Sequence, residues 1–313
     1  MPLPTDEKLI ALSEELIATF DQIFGLHPGF RPAHAKGVLL TGVFTPTAEA
    51  AKLSKAPHFV RESTPVSVRF SDSTGLPLVP DNVPDANPKG FAVRFHVAEH
   101  VHTDIIGHST DGFPTHTGAE FLEFLKALAG SGPDVPSPKP VEVFLGSHPA
   151  ALAFVQAPKP FPVSFATEAY FGVTAFHFAN AEGETRFGRY RIEPAAGLEH
   201  LSDEDAKGKD GDYLVTEIAE RVGNGPVKFT VKAQLADAGD VVDDATIPWP
   251  AEREVVTLGE ISLDAVVADQ AAEQKQMIFD PIPRVEGIEP SEDPLLELRA
   301  AVYLISGRRR RKA

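Results

Sequence analysis

Val66-Ser67-Val68-Arg69-Phe70 and Phe91-Ala92-Val93-Arg94-Phe95 decide the reading of this chain. In both runs apolar residues return at every second position, so alternate side chains face one side of an extended strand. Each run also sets an arginine beside its inward-looking residues, and a buried guanidinium calls for an anionic partner. Working outward, residues 37–44, Val227 to Leu235 and Glu254 to Leu263 read as further strands. Phe171 to Phe178 and Thr185 to Ile192 read as two more, joined by a hairpin loop at Asn180-Ala181-Glu182-Gly183. Helical spacing of Leu9, Leu12, Leu16, Phe20 and Ile23 predicts a helix over residues 6–25, ended by Gly25. Thr117-Gly118-Ala119-Glu120 is a capping box. A helix is expected over about 140–155, between Pro-rich connectors at 133–140 and 157–162. Asp203 to Arg221 is helical but broken by Gly208 and Gly211, and a final helix runs from Pro294 to Ser306, capped by Asp293 or Ser291. Many strands with helices between them predict an antiparallel barrel or sandwich with helices outside. No Rossmann or P-loop glycine pattern follows a strand, and no internal repeat is evident.

Composition narrows the chemistry. The 313 residues carry a net charge of −16, which disfavours nucleic acid and anionic membranes as partners. Cysteine is absent, so thiolate catalysis, disulfides, Fe–S clusters and Cys-ligated zinc are excluded. Eleven histidines remain as ligands, acids and bases. No apolar run is long enough to span a bilayer, and Met1 to Thr5 followed by Asp6, Glu7 and Lys8 lacks the pattern of a signal peptide. A cytoplasmic location is the expectation.

Phenylalanine outnumbers tyrosine by 21 to 4, so a tyrosine set amid charge draws notice. Arg299 and Tyr303 lie four apart and share a helix face. A guanidinium beside a phenol favours the phenolate, which is a hard ligand for Fe(III). The tail Arg308 to Lys312 reads as a solvated end or as a set of arginines that meets an anion. His34, in Arg31-Pro32-Ala33-His34-Ala35-Lys36-Gly37, could move a proton between the oxygens of a peroxide, and Ser71 could fix its tautomer. The group His96, His100 and His102 reads as a polar loop or strand end, and no metal is expected there.

These segments together resemble the haem catalase family, from about Pro32 to Arg310. The resemblance rests on His34-Ala35-Lys36-Gly37, Arg69-Phe70-Ser71, Gly90-Phe91-Ala92-Val93-Arg94-Phe95, Trp249-Pro250, Phe279-Asp280-Pro281, Gly287-Ile288-Glu289-Pro290-Ser291 and the pair Arg299 and Tyr303, in that order. It implies an α+β fold: an eight-stranded antiparallel β-barrel with surrounding helices, formed by residues 1–313 as one haem-binding domain. Residues 1–25 would be the N-terminal helix and 291–306 the helix carrying the haem ligand. The implied cofactor is haem b, with Tyr303 as axial ligand and Arg299 supporting its phenolate. His34 is the implied distal acid–base group, oriented by Ser71. Arg31, Arg69 and Arg310 fall on the propionate-binding arginines, and Phe113 and Phe121 on the distal side of the porphyrin.

Departures from the family pattern bear on activity. His108 stands where the family carries a distal asparagine, so a titratable ring replaces an amide. Ala301 replaces an aromatic between Arg299 and Tyr303, and Gly307 replaces a histidine one turn after Tyr303. The chain is shorter than large catalases, which resembles the small catalase-related peroxidase branch. Peroxidase action on organic peroxides or H₂O₂ with organic donors is the expectation. Rearrangement of a fatty-acid hydroperoxide, haem binding with little turnover, and an empty barrel holding an apolar ligand stay open. A homo-oligomer and NADPH binding are likewise undecided by these residues.

Overall fold

The computed structural model describes residues 3–313. Met1 and Pro2, the first residues of the N-terminus read above, lie outside them. Eight strands close into a barrel: β1 (Gly37–Pro46), β2 (Thr64–Ser71), β3 (Gly90–Ala98), β4 (Val101–His108), β5 (Tyr170–Phe171), β6 (Thr185–Pro194), β7 (Val227–Leu235) and β8 (Val255–Val266). Each pairs antiparallel with the next, β8 returns to β1, and β6 to β7 completes the circle. Closure leaves no free edge in the barrel wall. The short strand Phe176–Ala179 extends the sheet from β6, and Ile288–Pro290 pairs with it.

Inward residues fill the barrel. Phe44, Phe70, Phe91, Phe95, Tyr170 and Phe229 are essentially inaccessible, and the rings of Phe70, Phe91, Tyr170 and Phe229 pack at centroid distances of 5.1–6.2 Å. The barrel is therefore a packed core, and any cavity must lie at its margin, between the sheet and the helices. The N-terminal helix (Glu7–Phe24) is capped by Asp6, and Gly25, at φ 84°, ends it. It lies against the final helix, where Arg309 grips Asp21 at two points.

Three predicted elements differ in form. The helix over 140–155 is two helices, Pro140–Ser147 and Pro149–Gln156. Pro149 has no N–H and forces His148 out of helical geometry, to ψ 84°. The strand from Phe171 to Phe178 is interrupted, because Gly172 turns its N–H to Tyr190 O at 2.9 Å and the chain leaves the barrel wall until Phe176. The final helix spans Leu295–Lys312, past its predicted end at Ser306. Its first turn is capped by Asp293, whose Oδ1 accepts from Leu295 N–H at 2.9 Å. Gly307 allows the continuation, because a Cβ there would stand 2.5 Å from Ile278. The basic tail is thus helical, and Arg310 is only 4% exposed.

His58 is an anomaly in this core. It is fully buried against Phe44, Phe59 and Phe95, and neither ring nitrogen has a hydrogen-bond partner among the described residues. Burial pushes its pKa down to about 3, from an ordinary 6.5. The unfolded chain then binds a proton that the folded chain refuses, so this group's contribution is complete above pH 6.5 and is lost as pH falls toward 3. His58→Leu removes both the unpaired polar atoms and this loss. Urea unfolding should show the variant gaining on the parent by about 2 kcal/mol between pH 7.5 and pH 5, at about 1.4 kcal/mol per pH unit below 6.5. An equal difference at both pH values would contradict the assignment.

Candidate active site

A cavity lies between one end of strands β2–β5, the N-terminal helix and the final helix. Its volume is about 250 Å³. Arg31, His34, Arg69, Ser71, His108, Phe113, Phe121, Arg299, Tyr303 and Arg310 all contribute to its wall. These are the ten residues singled out from the sequence, drawn from segments that span most of the chain.

Strand register explains part of this convergence. Gly37 is opposite Ser71, Ser71 opposite Gly90, Gly90 opposite His108, and His108 opposite Phe171. One rung at the barrel's end therefore carries Ser71, Gly90 and His108 side by side. His34 precedes β1 in a left-handed backbone conformation, φ 55°, with its N–H held by Ser73 O at 3.1 Å. Such a conformation is unfavourable for a residue with a Cβ and is kept only where surroundings enforce it. It directs the ring so that Nδ1 lies 3.1 Å from Ser71 Oγ. Gly90 makes the room, since a Cβ would fall 2.5 Å from Ser71 Oγ and 2.8 Å from His34 Nδ1.

Three guanidinium groups meet on one side. Arg69 donates to Gln274 Oε1 at 2.6 Å and to the carbonyls of His34 and Ala35 at 2.9 and 3.1 Å. Arg31 and Arg310 both donate to Met277 O, at 3.0 and 2.6 Å, and Arg310 also reaches Lys275 O. Among the described residues none of the three has a carboxylate partner within salt-bridge distance. Withdrawal from bulk water, then repulsion from Arg69 and Arg310, pushes the Arg31 pKa well below its usual range. The same withdrawal and Arg310 push Arg69 down to about 9, against the pull of Asp72. Withdrawal and Arg311 push Arg310 to about 10. A protein that keeps three mutually repelling cations together without acids has a place for an anion.

The two histidines of the site are kept neutral. Withdrawal from water lowers His34 to about 3, helped by Arg69, His108 and Arg31. His108 falls to about 4, first from the same withdrawal and then from Arg299. Its Nδ1 accepts from Thr110 N–H at 3.3 Å, so the neutral ring carries its proton on Nε2. That Nε2 is buried and has no partner among the described residues. Across the cavity, the Arg299 guanidinium stands 5.8 Å from the Tyr303 ring centroid, and no hydrogen bond joins the two among the described residues. Phe113 and Phe121 pack on each other at 5.0 Å and continue the apolar wall.

Some wall residues escaped the sequence reading. Leu16 and Phe20 come from the N-terminal helix, and Phe171 and Val173 from the interrupted strand. Gln274 anchors Arg69 and also donates to Gly37 O at 3.0 Å. Gln270 and Gln274, four apart, were the available signal, but two glutamines on a short helix carry no chemical signature of their own. His96 and His102 face each other across β3 and β4, and His96 Nε2 lies 2.9 Å from Ser67 Oγ.

The site is thus a marginal cavity of a closed barrel, cationic on one side and walled by a tyrosine-bearing helix on another. The catalase family model matches residues 28–312. The chain is 35% identical over 285 residues to the catalase-related peroxidase of Mycolicibacterium paratuberculosis, covering 90% of this chain and 89% of that protein. It is 32% identical over 300 residues to the catalase-related peroxidase of Synechococcus elongatus, covering 94% and 87%. A bacterial catalase structure superposes with a TM-score of 0.81 at 25% identity, covering 99% of this chain and 62% of that one. The chain therefore spans under two thirds of that catalase. The chain belongs to the catalase family, which is haem-dependent.

Proposed function

We propose that the cavity holds haem b and that the chain is a peroxidase of catalase type, reducing organic peroxides or H₂O₂ with organic electron donors. The convergence of Arg31, Arg69 and Arg310 without a carboxylate supports this reading above all. Two propionates would neutralise them through charge-assisted hydrogen bonds. Apolar wall residues, Phe113 and Phe121 among them, suit the porphyrin faces. When bound, the haem supplies the redox centre at which the peroxide O–O bond is reduced.

The chain's own groups then divide the work. Tyr303 would hold the haem iron through its phenol oxygen, with the Arg299 guanidinium set over its ring at 5.8 Å from the centroid. His34 is neutral, so it can accept the peroxide proton and return it to the departing oxygen. With Nδ1 engaged by Ser71, Nε2 is the atom that exchanges the proton. Ser71 thus fixes the ring's tautomer and tilt, and His108 adds a neutral ring to the same rung. The relatives favour peroxide reduction over the rearrangement of fatty-acid hydroperoxides. The absorption spectrum of protein purified from haem-supplied cells tests the reading. A high-spin ferric, tyrosinate-ligated spectrum is expected, with donor oxidation on adding cumene hydroperoxide. Protein that emerges without haem overturns it, and rapid oxygen release from H₂O₂ would shift the assignment to true catalase.

A further inference from the structure

A second rung, one residue beyond the ends of four strands, backs the first. Lys36, Asp72, Lys89 and Ser109 directly flank Gly37, Ser71, Gly90 and His108. Side chains alternate along a strand, so this outer set points away from the cavity that the inner set lines. It is ionic and almost fully buried: Lys89 and Asp72 are 0% and 1% exposed. Lys89 Nζ donates to Asp72 Oδ1 at 2.6 Å and to Asp81 O at 2.9 Å. Lys36 Nζ lies 2.6 Å from Asp81, 2.7 Å from Asp212 and 4.0 Å from Asp72. Lys36 Nζ also donates to the carbonyls of Val79 and Gly211. The backbone closes the rung, with Asp72 N–H on Lys36 O, Lys89 N–H on Ser109 Oγ and Ser109 N–H on Lys89 O.

We propose that Lys89, paired with Asp72, is a positioning residue that holds the His34–Ser71 hydrogen bond and His108 in register. The reasoning is geometric. Ser71 and Gly90 must stand opposite each other for His34 to reach Ser71 Oγ, and a one-residue slip would turn Ser71 out of the cavity. The backbone ladders and buried faces set the register along the strands, and the ion pair with its directed hydrogen bonds pins the strand ends just past the ladder. Lys89 supplies such bonds from β3 to Asp72, next to Ser71, and through its backbone to Ser109, next to His108. It therefore ties three strands at the rung that matters. Neither residue lines the cavity, and Asp72 meets the His34 ring through its backbone, so the pair acts on peroxide through His34.

This inference rests on the peroxidase reading, but its decisive measurement does not need haem. The ¹⁵N imidazole spectrum of His34, assigned with His34→Gln, reports its tautomer in the haem-free full chain. The parent and the conservative Lys89→Arg are expected to show one tautomer. The double variant Lys89→Met/Asp72→Leu removes both buried charges without stranding either, and it should show a mixture. Its haem-loaded form should bind cyanide at least tenfold more slowly, since hydrogen cyanide must yield its proton to His34. Asp72→Asn keeps an acceptor for Lys89 but not the charge, and it supplies the same reading should the double variant not fold. A folded variant with the parent's single tautomer overturns the inference. Failure of the parent to take up haem would count against the peroxidase reading alone, and the tautomer would still decide the role of Lys89.

Discussion

His34→Ala is expected to lower the rate of reaction with peroxide by about 10²- to 10⁴-fold, the usual worth of a positioned general acid–base group. The site's geometry makes the effect specific. His34 is held by a strained backbone, one hydrogen bond to Ser71 and the space over Gly90. Its ring contributes no contact to the arginine cluster, although its carbonyl accepts from Arg69. Alanine keeps that carbonyl, so haem uptake should be nearly unchanged. The pH profile follows from the same residue. With its pKa at about 3 the ring is neutral and able to accept a proton throughout the neutral range, and that ability fades only as pH falls toward 3. Stopped-flow spectra of the variant against parent protein measure the loss. A variant with bound haem and parental rates would remove His34 from the mechanism.

Arg31→Met is expected to act in opposite directions on the two forms of the protein. In the haem-free chain Arg31 is repelled by Arg69 and Arg310, and its hydrogen bond goes to a carbonyl that Arg310 also satisfies. Methionine relieves the repulsion and leaves no acceptor unpaired, so haem-free stability should rise, by about 1 kcal/mol. In the proposed haem-bound protein the same change would remove a cation from beside a propionate. Truncating one side of such a pair costs about 2 kcal/mol or more, or about 30-fold in haem dissociation. Urea unfolding of the haem-free chain and haem transfer to apomyoglobin read the two effects separately. Loss of stability without loss of haem affinity would mean that Arg31 serves the fold and not an anion.

The arginine cluster illustrates a conflict between folding and binding. Most of the chain obeys ordinary packing rules: alternating strands, a packed aromatic interior, capped helices. At the cavity the rules are broken together. Like charges converge, His34 has positive φ, and His108 leaves a ring nitrogen unpaired. The unpaired ring of His58 lies apart in the barrel core, but these three violations share one cavity, as at a place shaped for a ligand.

How much of this was legible from residues alone depends on the range of the interaction. Strand alternation at Val66–Phe70 and Phe91–Phe95, the capping box at Thr117 and the glycine stop at Gly25 are local, and each element formed where read. The break at Pro149 was also local and readable, since proline excludes its predecessor from the helix. The extension of the final helix to Lys312 was not, because Arg309 and Arg310 find partners hundreds and tens of residues away, at Asp21 and Met277. The motifs themselves, His34, Arg69-Phe70-Ser71, Arg299 and Tyr303, stood in the sequence with their chemistry and implied their family. The sequence determined which groups the site contains, because side-chain chemistry and period-two patterning are properties of short segments. Tertiary structure alone decided that Ser71, Gly90 and His108 share a rung, that a buried lysine ties that rung, and that three arginines meet without an acid. Those facts depend on strand register and barrel closure, which arise only when distant segments pair.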